Sequence, residues 1–135
     1  MKVTFLGTGT SMGVPVAGGF RREKLAHDPR NERTRCSAWI QAKGKSILID
    51  AGPEFRIQSI RAQLQHIDHL LITHEHTDHI SGLDALRIYS YINESPLPAY
   101  ASTTCVQSIH PTFYYPFCYS HHTRPTSLAS NHAAA

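Results

Sequence analysis

An α/β fold with a mixed sheet is what this sequence predicts, on three observations. Short apolar runs of strand length alternate with segments of helical period, as in chains that lay helices against a sheet. Two of these runs flank Lys43-Gly44-Lys45, and a hairpin so early makes the sheet mixed rather than purely parallel. The 135 residues, 41% of them hydrophobic, amount to one domain able to bury a core, and no internal repeat divides them.

Taken in order, "KVTFLG" (2–7) opens as a strand and stops at the glycines and hydroxyls of "GTGTSMGVP". That stretch is no Walker loop, which needs lysine after its last glycine, and Met12 breaks the G-x-G-x-x-G pattern, so it reads as a tight turn. Residues 17–35 are polar, charged and aperiodic, which predicts a long loop. Its basic residues Arg21, Arg22, Lys24, Arg30, Arg33 and Arg35 could attract a phosphate, but Glu23, Asp28 and Glu32 interleave them as in a solvated loop. "CSAWIQA" (36–42) and "SILID" (46–50) form the hairpin, with Gly44 in its turn.

"PEFRIQSIRAQLQ" (53–65) predicts a helix with Pro53 just before it, Glu54 in its first turn, and Ile57, Ile60 and Leu64 on one face. "HLLIT" (69–73) is a short, fully apolar strand. "SGLDALRIYSYI" (81–92) is helical through Leu83, Leu86 and Tyr89 or Ile92. "PAYAS" (98–102) predicts a further strand and "TTCVQSI" (103–109) a short helix. Trp39, Phe55 and the apolar residues of "LLIT" are candidate core.

Several function classes recede on composition. No apolar run approaches the ~18 residues of a membrane helix, and one lysine before a short apolar stretch is too little for a secretory signal. The expected place is the cytoplasm. Three widely spaced cysteines, Cys36, Cys105 and Cys118, argue for free thiols rather than a disulfide framework. A formal charge of +3 does not by itself point to nucleic acid.

The chemistry concentrates in "LLITHEHTDHISG" (70–82). Imidazole is the commonest protein ligand of zinc, and carboxylates add hard oxygen. His74 and His76 can point the same way from an extended backbone, and Asp78 and His79 follow in a turn that can face a second ion. The cluster sits where an apolar strand ends, the edge at which α/β sheets collect ligands. The zinc-protease pattern H-E-x-x-H is absent, because His74-Glu75-His76 has the wrong spacing. A solvated turn that happens to be histidine-rich is the bland alternative.

"THEHTDHISGLD" (73–84) resembles the H-x-H-x-D-H signature of the metallo-β-lactamase superfamily. "FLGTGTSMGVP" (5–15) and "LIDAGPEF" (48–55) resemble one branch of it, the cyclic-phosphate phosphodiesterases of phosphonate breakdown and, more distantly, the tRNA 3′-end endonucleases. The likeness runs from Met1 to about Phe113 and implies the N-terminal half of an αβ/βα sandwich with a mixed sheet. It implies two divalent ions, zinc or manganese, with His74 and His76 on the first and Asp78 and His79 on the second. Asp78 would also orient the attacking hydroxide, and Asp50 would support the ligands from behind. The implied reaction is hydrolysis of a small, cyclic phosphodiester; RNA 3′-processing is one alternative, and a catalytically incomplete fragment with a partial metal site is another.

Two departures qualify the resemblance. The stretch after "GVP" contains no cysteine, so no structural zinc is expected there. After Glu94 the chain carries no acidic residue and a single charged one, Arg124, so the family's downstream bridging carboxylate has no counterpart. The expected organisation is a partial domain over 1–113, then a disordered or non-native tail over 114–135.

Overall fold

Among the described residues, six strands form one sheet in sequence order: β1 (Lys2–Gly7), β2 (Ser37–Ala42), β3 (Lys45–Ile49), β4 (His69–Leu71), β5 (Leu97–Ala101) and β6 (Leu128–His132). The computed structural model describes residues 1–19 and 28–114, and the backbone alone of 128–132. β1 to β3 run antiparallel and β3 to β6 parallel, so the sheet is mixed, as the early hairpin predicts. Lys43 and Gly44 both have positive φ (49° and 74°), the type I′ geometry that matches strand twist in a two-residue hairpin.

Between the strands lie α1 (Phe55–Arg61), α2 (Thr77–Ile80), α3 (Arg87–Ile92) and α4 (Thr103–Ile109), with a 3-10 turn at Leu83–Leu86 leading into α3. Cross-strand partners share a face of the sheet. Leu48 pairs with Leu70, and Leu70 with Ala99; these face the helices and are buried with Phe55, Leu83, Leu86, Tyr89, Cys105 and Ile109. The opposite face carries Val3, Phe5, Ile40, Ile47, Ile49, Leu71 and Tyr100, all exposed or half-buried. Phe5 is 73% exposed.

That two-sidedness corrects the reading of the apolar residues of "LLIT" as core throughout. Leu70 and Ile72 are buried, but Leu71 stands on the outer face and is exposed. A second correction falls on α1. Its buried residues are Phe55 and Gln58, whereas Ile57 and Ile60 face solvent. The inward face is set by Gln58, whose Nε2 donates to Thr34 Oγ1 and to the Arg35 carbonyl, both at 2.9 Å. A polar residue with a buried task defeats a pattern that counts apolar residues alone. The helix also stops at Arg61, short of the predicted end, and Gln63 (φ 52°) turns the chain. Leu83, Leu86 and Tyr89 are buried as the periodicity predicts, and Ile92 is exposed.

The expectation for 114–135 falls outside the described residues, apart from Tyr114 and the backbone of β6. Leu128–His132 pairs in parallel with β5 from Leu97↔Leu128 to Ala101↔His132. The sequence predicted no strand there, because "LASNH" lacks apolar alternation and the ladder is a backbone property.

At the far end of the sheet from the parallel strand tips, Asp68 ties the hairpin down. It accepts from the Ser46 backbone N–H at 2.8 Å and from Lys45 Nζ at 2.9 Å, with His66 3.5 Å away. Partial burial pushes its pKa up, but the Ser46 N–H, Lys45 and His66 outweigh it and hold the carboxyl at about 2. A depressed folded-state pKa adds stability above the unfolded value near 4, and that stability is lost as pH falls towards 2. Asp68→Asn is therefore expected to cost about 1 kcal/mol at pH 7, after allowing for solvent around Lys45. It should also flatten the dependence of the urea midpoint on pH between about 4 and 2. An unchanged acid limb in the variant would show that the Asp68 contacts contribute nothing to stability.

Candidate metal centre

Parallel neighbours β3 and β4 end side by side, and the residues that leave their carboxyl ends build the site. Asp50 follows β3 directly, is 4% exposed, and has a φ of 58°, in the left-handed region that non-glycine residues seldom enter. This conformation turns its carboxylate across the tip of β4. Oδ1 accepts from the Thr73 backbone N–H at 2.8 Å. Oδ2 accepts from Thr73 Oγ1 at 2.7 Å and lies 2.8 Å from His79 Nδ1. The Asp50 N–H in turn donates to the Leu71 carbonyl at 2.9 Å, locking the two strand ends together.

The histidines gather above this carboxylate. The ring of His74 lies 4.6 Å from that of His76, edge-on, and 4.1 Å from that of His79. His76 is extended (φ −65°, ψ 143°) and caps α2, a single helical turn where the sequence predicts an open one. That turn brings Asp78 and His79 to the cluster, with His79 Nε2 3.2 Å from Asp78 Oδ2. Glu75 is exposed. Burial, then the negative charges of Glu75 and Asp50, push the thiol of buried Cys105 up from its ordinary pKa.

Two glycines let the backbones interlock. Ala51 N–H donates to the His79 carbonyl and Gly82 N–H to the Ala51 carbonyl, both at 2.8 Å. A Cβ on Gly52 would overlap the Asp78 carbonyl oxygen, and one on Gly82 would overlap that of Gly52. Beside Gly52, Arg35 lines a cleft of about 430 Å³ together with Arg33 and Arg61, and pairs there with Glu54. Arg21, Arg22 and Lys24 lie outside the described residues.

All four predicted ligands, and Asp50 behind them, are thus brought to one place. Among the described residues no three His, Cys, Asp or Glu side chains close around a single point. One donor pair is nevertheless spaced as two ligands of a divalent ion would be. Tetrahedral bonds of about 2.1 Å put neighbouring donors about 3.4 Å apart, close to the 3.2 Å between His79 Nε2 and Asp78 Oδ2. His79 donates its other ring nitrogen to a carboxylate, as metal-bound histidines do. Missing from the sequence-based prediction are Thr73 and the two glycines. A hydroxyl directly before the first histidine, and glycines flanking both motifs, were the available signals.

A family model described as a beta-lactamase superfamily domain matches residues 45–135. The chain belongs to the beta-lactamase superfamily. Within it, the crystal structure of a diphosphatase from the PhnP family superposes with a TM-score of 0.84 at 34% identity, covering 98% of this chain and 50% of that one. An octanoyltransferase of Porphyromonas gingivalis is 42% identical over 118 residues, 87% of this chain and 24% of that protein. A ribonuclease Z of Bradyrhizobium diazoefficiens is 34% identical over 86 residues, 62% and 23% of the two chains. The superfamily chain described here therefore spans about half of the solved diphosphatase and about a quarter of these curated relatives. No helix among its described residues is long and apolar enough to cross a membrane.

Proposed function

We propose that this chain carries the metal-binding half of a hydrolase that cleaves a small, cyclic phosphodiester with two divalent ions, zinc or manganese. The observation that carries the reading is the cluster of His74, His76 and His79 with Asp78, braced from below by Asp50. His74 and His76 would hold the first ion, and Asp78 and His79 the second. Bound there, the ions supply Lewis acidity to phosphate oxygens and a water of lowered pKa. Asp78, with a carboxylate oxygen at the cluster, would accept a hydrogen bond from the attacking water and aim it. Arg33, Arg35 and Arg61 along the neighbouring cleft would draw in an anionic substrate. The free thiols of Cys36 and Cys105 suit a cytoplasmic setting.

The diphosphatase and ribonuclease Z relatives both act, by name, on phosphorus–oxygen bonds, which supports this class. The name octanoyltransferase belongs to a chain of which three quarters has no match here, and is not carried over. The test is metal content of the purified protein by plasma mass spectrometry, with hydrolysis of bis(p-nitrophenyl) phosphate measured alongside. About two ions per chain are expected, and His76→Ala should lower the content and abolish turnover with little loss of folding. Unchanged turnover in that variant would sink the proposal. Content near zero in the wild type would favour the incomplete-fragment reading. The 34% identity to ribonuclease Z supports RNA 3′-processing as second reading, and faster cleavage of a tRNA precursor than of a cyclic nucleotide would establish it.

A further inference from the structure

We propose that Thr73 is a positioning residue: it relays the Asp50 carboxylate to His74 and so fixes that imidazole as its Nδ1–H tautomer, with the Nε2 lone pair free for an ion. The protons available fix the direction of each bond. The Thr73 hydroxyl has one hydrogen, and a carboxylate can only accept. The 2.7 Å contact from Oγ1 to Asp50 Oδ2 uses that hydrogen. The second contact of the same oxygen, 2.9 Å to His74 Nδ1, then needs its hydrogen from the histidine. His74 Nδ1–H donates to Thr73 Oγ1, which donates to Asp50 Oδ2.

The same Oδ2 also receives His79 Nδ1–H directly at 2.8 Å. One buried carboxylate oxygen therefore meets two rings, one by contact and one through a hydroxyl, and the relay leaves the Nε2 lone pair of neutral His74 free, whereas His79 Nε2 faces Asp78 Oδ2 at 3.2 Å. The Thr73 backbone N–H on Oδ1 holds the carboxylate in the plane this requires. Which ring nitrogen of a histidine carries its proton is decided by the partner of the other nitrogen. Without the hydroxyl, His74 Nδ1 loses the acceptor that selects the Nδ1–H form.

The consequence for metal affinity rests on the metal-centre reading; the tautomer does not, so the two can fail separately. The experiment is a long-range 1H–15N correlation spectrum of the full, metal-free chain at about pH 8, above the usual histidine pKa. His74 is expected to show a protonated Nδ1 and a bare Nε2. Thr73→Val should mix or reverse the two forms and weaken zinc binding tenfold or more in a chelator competition, while Thr73→Ser retains both properties. A wild-type His74 protonated at Nε2 would overturn the proposal without any variant, and so would an unchanged tautomer in Thr73→Val. The expected tautomer in a chain that binds no zinc would uphold the relay and remove the metal-centre reading.

Discussion

Asp50→Asn is expected to lower divalent-ion affinity 10- to 100-fold while the protein still folds. The amide matches the carboxylate in shape, and its oxygen can go on accepting the Thr73 N–H. The amide nitrogen then takes the place of Oδ2, where Thr73 Oγ1 and His79 Nδ1 both donate in the native protein. Two donors would face a third. The way out is for His79 to accept at Nδ1 and carry its proton on Nε2, turning an N–H towards Asp78 in place of a lone pair. Stability should fall by about 1–3 kcal/mol, the scale of a buried charge-assisted hydrogen bond. Calorimetric titration with zinc, paired with urea unfolding, separates the two effects. Affinity within twofold of wild type would mean that Asp50 shapes the loop and nothing more.

Gly82→Ala should act on the fold itself. Its Cβ would overlap the Gly52 carbonyl oxygen and sit 2.9 Å from both the Ala51 oxygen and Phe55 Cβ. Neither carbonyl can move freely, because Gly82 N–H is bonded to Ala51 and Phe55 N–H to Gly52. Relief requires the Ala51–Gly52 turn to part from the segment that bears Asp78 and His79. Overpacking of this kind costs about 3 kcal/mol, roughly 10 °C in the midpoint of a domain this size. A midpoint within about 2 °C of wild type would show that the turn has more freedom than its hydrogen bonds indicate.

How much of this was legible in the sequence differs by element. The hairpin and the alternation of strands with helices fixed a mixed sheet, because turn chemistry at Lys43-Gly44 and apolar periodicity are local signals. The gathering of His74, His76, Asp78 and His79 was legible for the same reason, lying within six consecutive residues. What failed depended on partners distant in the chain. Gln58 faces inward to reach Thr34 and Arg35, more than 20 positions away, so of the apolar face drawn through Ile57, Ile60 and Leu64 only Leu64 is buried. Leu71 looks like core in one dimension, yet its side chain falls on the face away from the helices. Thr73 is an unremarkable strand-end residue until the left-handed turn at Asp50 brings a carboxylate beneath it.

The outward face of the sheet bears on how stability varies with temperature. The heat capacity of unfolding follows the apolar surface that becomes newly hydrated, near 12–15 cal/mol/K per residue in ordinary domains. Val3, Phe5 and Leu71 already meet water in the folded chain, with Ile40, Ile47 and Ile49 only part-covered beside them. Unfolding adds comparatively little hydration on that side. The heat capacity increment per residue should fall below that range, giving a flatter stability curve, with the low-temperature loss of stability moved to lower temperature.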